Sequence, residues 1–259
     1  HPFMTNSVWK NVSHLPVGEQ AAMLSRPEVR AELLRAQTDE KNPNVTGGLR
    51  IDHWNEMFEL ADPPNYEPDS SSSIAAISAR TGRSEPEVAL DIILSDGGRG
   101  MIYIPFSNYS NGTLDATREM LVDEFTLPGL SDGGAHVGTI CDASFVSTLL
   151  QHWARDRDHG TIDLPLVIRW QTRDTARAVG LNDRGQIAPG LKADLNVIDM
   201  KALRLHRPQM RYDLPAGGRR LVQRVDGYRH TFVSGVETYR DGEQTGELPG
   251  RLVRGSTRR

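Results

Sequence analysis

The stretch that decides the fold is Gly129-Leu130-Ser131-Asp132-Gly133-Gly134-Ala135-His136. It closes a short apolar run, 126–130, and precedes a helix-forming segment, 143–155. Barrel enzymes place catalytic groups at the C-terminal ends of buried strands, and a carboxylate at this point fits that pattern. The two glycines remove side chains, so a metal, a water molecule or a substrate can approach the backbone closely. An ordinary strand-to-helix turn is the alternative, because Asp and Gly are common turn residues.

Strands and helices alternate around this stretch. The apolar run 101–104 predicts a strand buried on both faces, 114–122 predicts a helix, and 126–130 predicts a second strand. Such alternation is typical of a parallel sheet covered by helices. The fold class is therefore α/β.

The first third of the chain reads as mainly helical. Ser25 is a candidate cap and Pro27 fits the first turn of a helix, where its missing N–H costs nothing. A serine run ending at Ser73 offers the cap of a later helix. The remaining expectations are a helix break at 42–48, a strand or short helix within 49–60, and helices at 73–81, 85–94 and 164–179, the last ending at Gly180.

After Gly180 the sequence becomes rich in turns and alternating residues. Strands are predicted at 193–197, 221–225 and 231–239, the last leading to a turn at Asp241-Gly242. A complete eight-stranded barrel typically takes about 250 residues, and only the part before Gly180 has α/β character. We therefore expect residues 1–180 to be the C-terminal part of a (β/α)8 TIM-type barrel and residues 181–259 to be a β-rich subdomain. The chain is expected to be a piece of a longer protein.

Composition narrows the class of protein. The 259 residues are 37% hydrophobic and 25% charged with a net charge of −4, which describes a soluble globular protein and favours no nucleic-acid partner. No apolar run is long enough to cross a membrane, and no membrane partner is expected. The single Cys141 suits a reducing compartment, so a cytoplasmic location is predicted, and the thiol is given no catalytic role. The basic pair Arg219-Arg220 is expected to form surface ion pairs.

Several motifs resemble one superfamily. The stretch 131–136 resembles the end of the eighth barrel strand in the amidohydrolase superfamily, and the passage 172–195 resembles its C-terminal segment. The stretches Asp213-Leu214-Pro215-Ala216-Gly217-Gly218 and Thr245-Gly246-Glu247-Leu248-Pro249-Gly250 resemble the N-acyl-D-amino-acid deacylase branch. The second half of the chain carries most of this resemblance. It adds a small β-sandwich as the expected form of the C-terminal subdomain.

The resemblance implies a metal-dependent hydrolase that cleaves an amide or related C–N bond. In that superfamily a divalent metal, commonly zinc, activates water at the mouth of the barrel. Asp132 matches the aspartate of strand eight, whose implied role is to take a proton from the attacking water and deliver it to the leaving nitrogen. The same carboxylate is the candidate metal ligand in this chain.

The ligand set of that superfamily is incomplete here. None of the eight histidines stands two residues from another, so the expected His-x-His pair is missing, and the other ligands are expected upstream of residue 1. A catalytic zinc normally has about three protein ligands, so the isolated chain is expected to be inactive. The missing N-terminal part of the same protein is thus the predicted partner. The alternatives are a non-catalytic fragment or scaffold half, and an enzyme for a cyclic amide or carbamate.

Three further residues are candidates for contact with a small-molecule substrate. His136 ends the motif, while Asn108 and Tyr109 follow the predicted strand at 101–104 and are expected at the same barrel mouth. Each has a structural alternative. His136 can hydrogen-bond the local backbone, and Asn and Tyr are common in surface loops.

Overall fold

The structure, a computed structural model, describes residues 1–36, 51–105, 107–129, 133–134 and 136–253. Its helices are α1 (Ser7–Val12), α2 (Val17–Leu24), α3 (Pro27–Arg35), α4 (Ile74–Thr81), α5 (Glu85–Gly98), α6 (Asp115–Val122), α7 (Phe145–Thr148), α8 (Leu164–Arg169) and α9 (Thr175–Ala178). Its strands are β1 (Phe58–Glu59), β2 (Ile102–Tyr103), β3 (Leu195–Ile198), β4 (Arg204–Leu205), β5 (Gln209–Leu214), β6 (Gly218–Val222), β7 (Val225–Asp226), β8 (Tyr228–Val233), β9 (Val236–Arg240) and β10 (Glu243–Gln244).

The chain divides into two compact units. The first comprises His1–Ala61 and Asn65–Ala116, and the second comprises Asp62–Pro64 and Thr117–Arg259. The division falls inside α6. The first unit is mainly helical, whereas all strands from β3 onward belong to the second.

An apolar core holds the first unit together. Asn6 caps α1 by accepting hydrogen bonds from the backbone N–H groups of Val8 (2.9 Å) and Trp9 (3.3 Å), and its amide donates to the carbonyl of Leu33 (3.0 Å). This one buried side chain therefore joins α1 to α3. The core side chains come from α1 to α5 and from β1 and its flanks, and those with no exposed surface are Leu24, Met57, Ile74, Ala89 and Leu90.

Helix α5 shows how the sequence sets both helix ends. Ser84 and Glu87 form a capping box, in which the Glu87 carboxylate accepts from the Ser84 N–H (2.8 Å). The backbone leaves the helical conformation at Ser95, and Asp96 and Gly97 are left-handed. This turn brings Gly100 so close to α5 that an added β-carbon would lie 1.7 Å from the Ile92 carbonyl oxygen.

Two longer helical segments lie at the start of the second unit. Helix α7 continues as a π-helical segment (Leu149–Asp156), and a second π-helical segment (Trp170–Asp174) joins α8 to α9. The apolar side chains buried in this unit are Leu149, Leu150, Trp153, Ile162, Val167, Trp170, Ala176, Leu203 and Leu205. Arg155 on the first segment donates to the Leu203 carbonyl (2.8 Å), so the helix is tied to the chain that enters β4.

The strands form small antiparallel sheets. The largest has the order β10-β9-β8-β3, and the other pairs are β1-β2, β4-β7 and β5-β6. Ser234 and Gly235, both with positive φ, make the two-residue turn between β8 and β9, as the right-handed twist of a hairpin favours. Tyr228 of β8 is hydrogen-bonded to Ser147 of α7 (2.9 Å).

Much of the local prediction is confirmed. The structure has α4 with Ser73 as its cap, regular helix from Glu85 to Leu94, and a helix that ends just before Gly180. Asp241 and Gly242 form the expected turn, and residues 181–253 contain only strands and turns apart from one short 3-10 turn. Within 49–60 the structure has both a 3-10 turn (Trp54–Glu56) and β1. The predicted break at 42–48 lies outside the described residues.

Four predictions about single elements are wrong. Ser25 ends α2 by donating to the Ala21 carbonyl (2.7 Å), because only two residues separate α2 from α3. The predicted strand 231–239 is a hairpin broken at Ser234-Gly235. Residues 126–129 form no strand, and Phe125 and Leu127 are 89% and 44% exposed. Pro128 has no N–H for a ladder, which disfavours a strand there. Strand β2 pairs antiparallel with β1 rather than in a parallel sheet, and its residues are half-buried instead of buried on both faces.

Candidate functional site

The loop that follows Asp132 is held by contacts with other parts of the second unit, to which it belongs. Asp132 itself lies outside the described residues, whereas Gly133, Gly134 and 136–140 are described. A β-carbon added to Gly133 would lie 3.1 Å from the β-carbon of Ala143. The glycine therefore allows the loop to lie against the 3-10 turn (Asp142–Ser144) that leads into α7.

The backbone of His136 makes a tight turn. Its carbonyl oxygen accepts from the N–H groups of Thr139 (2.8 Å) and Ile140 (3.0 Å). Its φ of +50° lies in the left-handed region, which costs a non-glycine residue about 1–2 kcal/mol. The side chain of His136 is exposed, so its ring is open to a ligand while its main chain shapes the loop.

A hairpin of the C-terminal region holds the same loop. The N–H of Leu221 in β6 donates to the carbonyl of Val137 (2.7 Å). A β-carbon added to Gly138 would lie 3.5 Å from Nε of Arg219, so the Arg219 side chain runs along the loop backbone. The loop and the hairpin β5-β6 are therefore in direct contact.

Cys141, at the end of this loop, is a poor candidate for chemistry. Burial raises the pKa of its thiol, and the neighbouring Asp142 carboxylate raises it further. The reactive thiolate is thus disfavoured, in agreement with the interpretation of Cys141 as a residue without a catalytic role.

Asn108 and Tyr109 belong to the first unit. The Tyr109 hydroxyl donates to the Pro68 carbonyl, and its ring meets the edge of Phe58 at 5.8 Å. Burial raises the pKa of Tyr109, and the charges of Asp69 and Glu67 add to that effect, so its proton is held firmly. Asn108 is exposed with φ of +64°. The predicted grouping of these residues with His136 and Asp132 stays a prediction.

A family model described as the amidohydrolase family matches residues 25–244. The chain belongs to the amidohydrolase family. The match spans both units and includes the loop after Asp132 as well as the hairpin that holds it. Neither a curated protein nor a solved structure matches the chain.

Members of the amidohydrolase family usually bind divalent metals, so the donor set of this chain can be compared with that need. Within each unit, the described residues bring no three His, Cys, Asp or Glu side chains together as a set of ligands. A catalytic zinc normally takes about three protein ligands. The described residues of neither unit alone therefore fit a complete metal centre.

The family's C-terminal passage serves to position the sheet. Asp194 pairs with Arg184 (3.0 Å) and accepts from the N–H of Ser234 (2.7 Å), which fixes the β8-β9 turn against the start of β3. The backbone N–H of Lys192 donates to the Asp183 carbonyl (2.8 Å). Asp194 and the Lys192 backbone therefore have structural roles in this part of the second unit.

The expectation for the basic pair is half confirmed. Arg220 donates to both carboxylate oxygens of Asp213, at 2.7 and 2.8 Å, and this hydrogen bonding lowers the pKa of Asp213. Arg219 forms no ion pair with a described residue, so that part of the expectation is wrong. In the sequence, the adjacent arginines were the only feature that drew attention to Arg219.

In the part of the chain that the structure covers, no helix is long and apolar enough to span a membrane.

Proposed function

We propose that this amidohydrolase chain is the C-terminal portion of an enzyme that hydrolyses the amide bond of N-acyl-D-amino acids. The family match across 25–244 is the observation that carries the proposal. The deacylase-like stretches at 213–218 and 245–250 support the choice of substrate. On this proposal residues 1–180 complete a TIM-type barrel whose upstream part lies elsewhere in the protein, and the C-terminal strands belong to a small β-sandwich.

Asp132 is the proposed proton-transfer group. Its carboxylate takes a proton from water as the water oxygen bonds to the amide carbonyl carbon, and it then gives that proton to the leaving nitrogen as the C–N bond breaks. The products are the free carboxylic acid and the free amino acid. Exposed His136, with Asn108 and Tyr109, is proposed to contact the substrate around this step.

On this proposal the metal is bound only in the intact protein, which supplies the complete set of ligands. A divalent ion, zinc on this proposal, would supply Lewis-acid polarisation of the carbonyl and ionisation of water. Asp132 is the proposed ligand from this chain, and the other ligands come from the missing N-terminal part. The cytoplasmic location suggested by the single Cys141 is part of the same proposal.

The test is an assay of the intact, zinc-loaded protein with N-acetyl-D-amino acids and with their L-isomers. We expect faster hydrolysis of the D-isomers, and turnover that is nearly abolished by Asp132→Asn while circular dichroism stays unchanged. A fall in kcat of about 100-fold or more is the size expected for loss of a general base.

Three results would contradict parts of the proposal. Equal rates on D- and L-isomers would remove the deacylase branch, and substantial activity of Asp132→Asn would remove the role of that carboxylate. An intact protein with no His-x-His strand and no hydrolase activity would favour the second candidate, a non-catalytic scaffold half. The observation that supports this second candidate is that the described residues within each unit form no complete set of metal ligands.

A further inference from the structure

The adjacent residues Arg219 and Arg220 differ in their contacts, because one is ion-paired and the other, among the described residues, is not. Successive side chains of a strand point to opposite faces, and both residues lie in β6. Arg220 is held by the two carboxylate oxygens of Asp213 on β5. Arg219 is exposed and has neither a hydrogen bond nor an ion pair with any described residue.

The Arg219 side chain lies beside the candidate active-site loop. Its Nε and Cγ are 3.5 and 3.8 Å from the position that a β-carbon of Gly138 would take. Gly138 is six residues after Asp132 in the sequence. These are ordinary van der Waals distances, so the Arg219 side chain lies next to the loop backbone at Gly138.

The hairpin that carries Arg219 is fixed in place. Two residues further along β6, the N–H of Leu221 donates to the Val137 carbonyl (2.7 Å). The paired strand β5 and the bond from Arg220 to Asp213 hold the hairpin from the other side. The backbone that carries the Arg219 cation is thus held on both sides.

We propose that Arg219 binds the carboxylate of the substrate and so determines the enzyme's preference for N-acyl amino acids over neutral amides. This inference rests on the proposed function. A guanidinium group offers two parallel N–H donors that match the two oxygens of a carboxylate, the geometry that Arg220 and Asp213 adopt on the opposite face. Arg219 has no competing anion among the described residues, so its donors are available to a ligand.

The experiment compares an N-acetyl-D-amino acid with its carboxamide, which has the same acyl group and side chain but no charge. In the intact, metal-loaded protein, Arg219→Gln is expected to lower kcat/KM for the acid about 10- to 100-fold, mainly through KM, and to change kcat/KM for the carboxamide less than about 2-fold. Arg219→Lys is expected to recover part of the loss, because it keeps the charge but not the paired donors. Arg220→Gln is the matched control and should leave the acid-to-carboxamide ratio unchanged.

The possible outcomes distinguish a failure of the Arg219 assignment from a failure of the proposed hydrolase function. Equal losses on both substrates would show that Arg219 only supports the loop, and unchanged kinetics would show that it does not touch the substrate. Either result overturns the assignment of Arg219 and leaves amide hydrolysis standing. A wild-type protein that hydrolyses neither substrate would overturn the proposed function, and the assignment of Arg219 with it.

Discussion

The helical first unit and the sheet β10-β9-β8-β3 are stabilised in different ways. In the first unit, side chains such as Leu24, Ile74 and Leu90 are completely buried. None of the strand residues in the sheet is buried, and every one is half-buried or exposed. The sheet depends instead on ladder hydrogen bonds, two-residue turns and ion pairs such as those of Arg229 with Asp199 (3.0 Å) and Asp241 (3.2 Å).

This difference predicts different sensitivities. Close packing makes the helical unit sensitive to the volume of a single side chain. Exposed ion pairs contribute little and are weakened by salt and by changes of charge, so substitutions in the sheet should have small effects, and those at charged residues should depend on pH. The following substitutions test that contrast.

The largest effect is expected from Gly100→Ala in the helical unit. The new β-carbon would lie 1.7 Å from the Ile92 carbonyl oxygen, so the turn after α5 has to shift. We expect a loss of about 3 kcal/mol or more of unfolding free energy, measured by urea denaturation. Gly18→Ala in α2 is the control, because nothing lies within 4 Å of its added β-carbon. Wild-type stability of Gly100→Ala would show that this unit is not closely packed.

A pair of truncations compares the two regions directly. Leu90→Ala leaves a cavity at a completely buried position and is expected to cost about 2–5 kcal/mol. Val197→Ala in β3, where the side chain is 47% exposed, is expected to cost less than about 1 kcal/mol. Chemical denaturation of both variants gives the comparison. Similar losses would mean that another surface covers the sheet in solution.

The smallest effect is expected from a charge in the sheet. Hydrogen bonds from Arg240 and His230 lower the pKa of Glu237 from 4.5 to about 2. A lowered carboxyl pKa stabilises the folded state above its unfolded-state value, and the contribution is lost as the pH falls through about 2. Glu237→Gln should therefore lower Tm slightly at pH 7, and the difference from wild type should disappear between pH 4.5 and about 2.

Glu243→Gln in β10 is the matched control for that pH series, because it removes an exposed carboxylate from the same sheet. Its Tm difference from wild type should stay nearly constant across the series. A pH-independent deficit in Glu237→Gln would show that the carboxylate acts through shape rather than charge.

The sequence was a good guide where local chemistry decides the structure. Ser73 caps α4, and Asp241-Gly242 turns the chain, because those residue types satisfy nearby backbone groups or accept positive φ. It was a poor guide where a competing partner, close by or distant in the sequence, decided the structure. Ser25 looked like a cap for α3, but the end of α2 uses its hydroxyl, and the strand β2 found an antiparallel partner in β1.

The candidate site was only partly accessible to the same reasoning. The motif around Asp132 could be read directly, because its spacing is local. The contact between Arg219 and Gly138 joins residues 81 positions apart, and no periodicity encodes it. The sequence likewise gave Arg219 and Arg220 the same expectation, although among the described residues only Arg220 pairs with an acid, Asp213.

The bond between Leu221 and Val137 has a consequence for anyone who edits this protein. It means that the C-terminal region cannot be treated as an exchangeable cassette, although its composition suggests a separate appendage. A shortened chain that ends before β6 would lose the hydrogen bond to Val137, which lies close to the motif aspartate in the sequence. A C-terminal region taken from a relative would likewise function only if its hairpin donated an equivalent hydrogen bond to that segment.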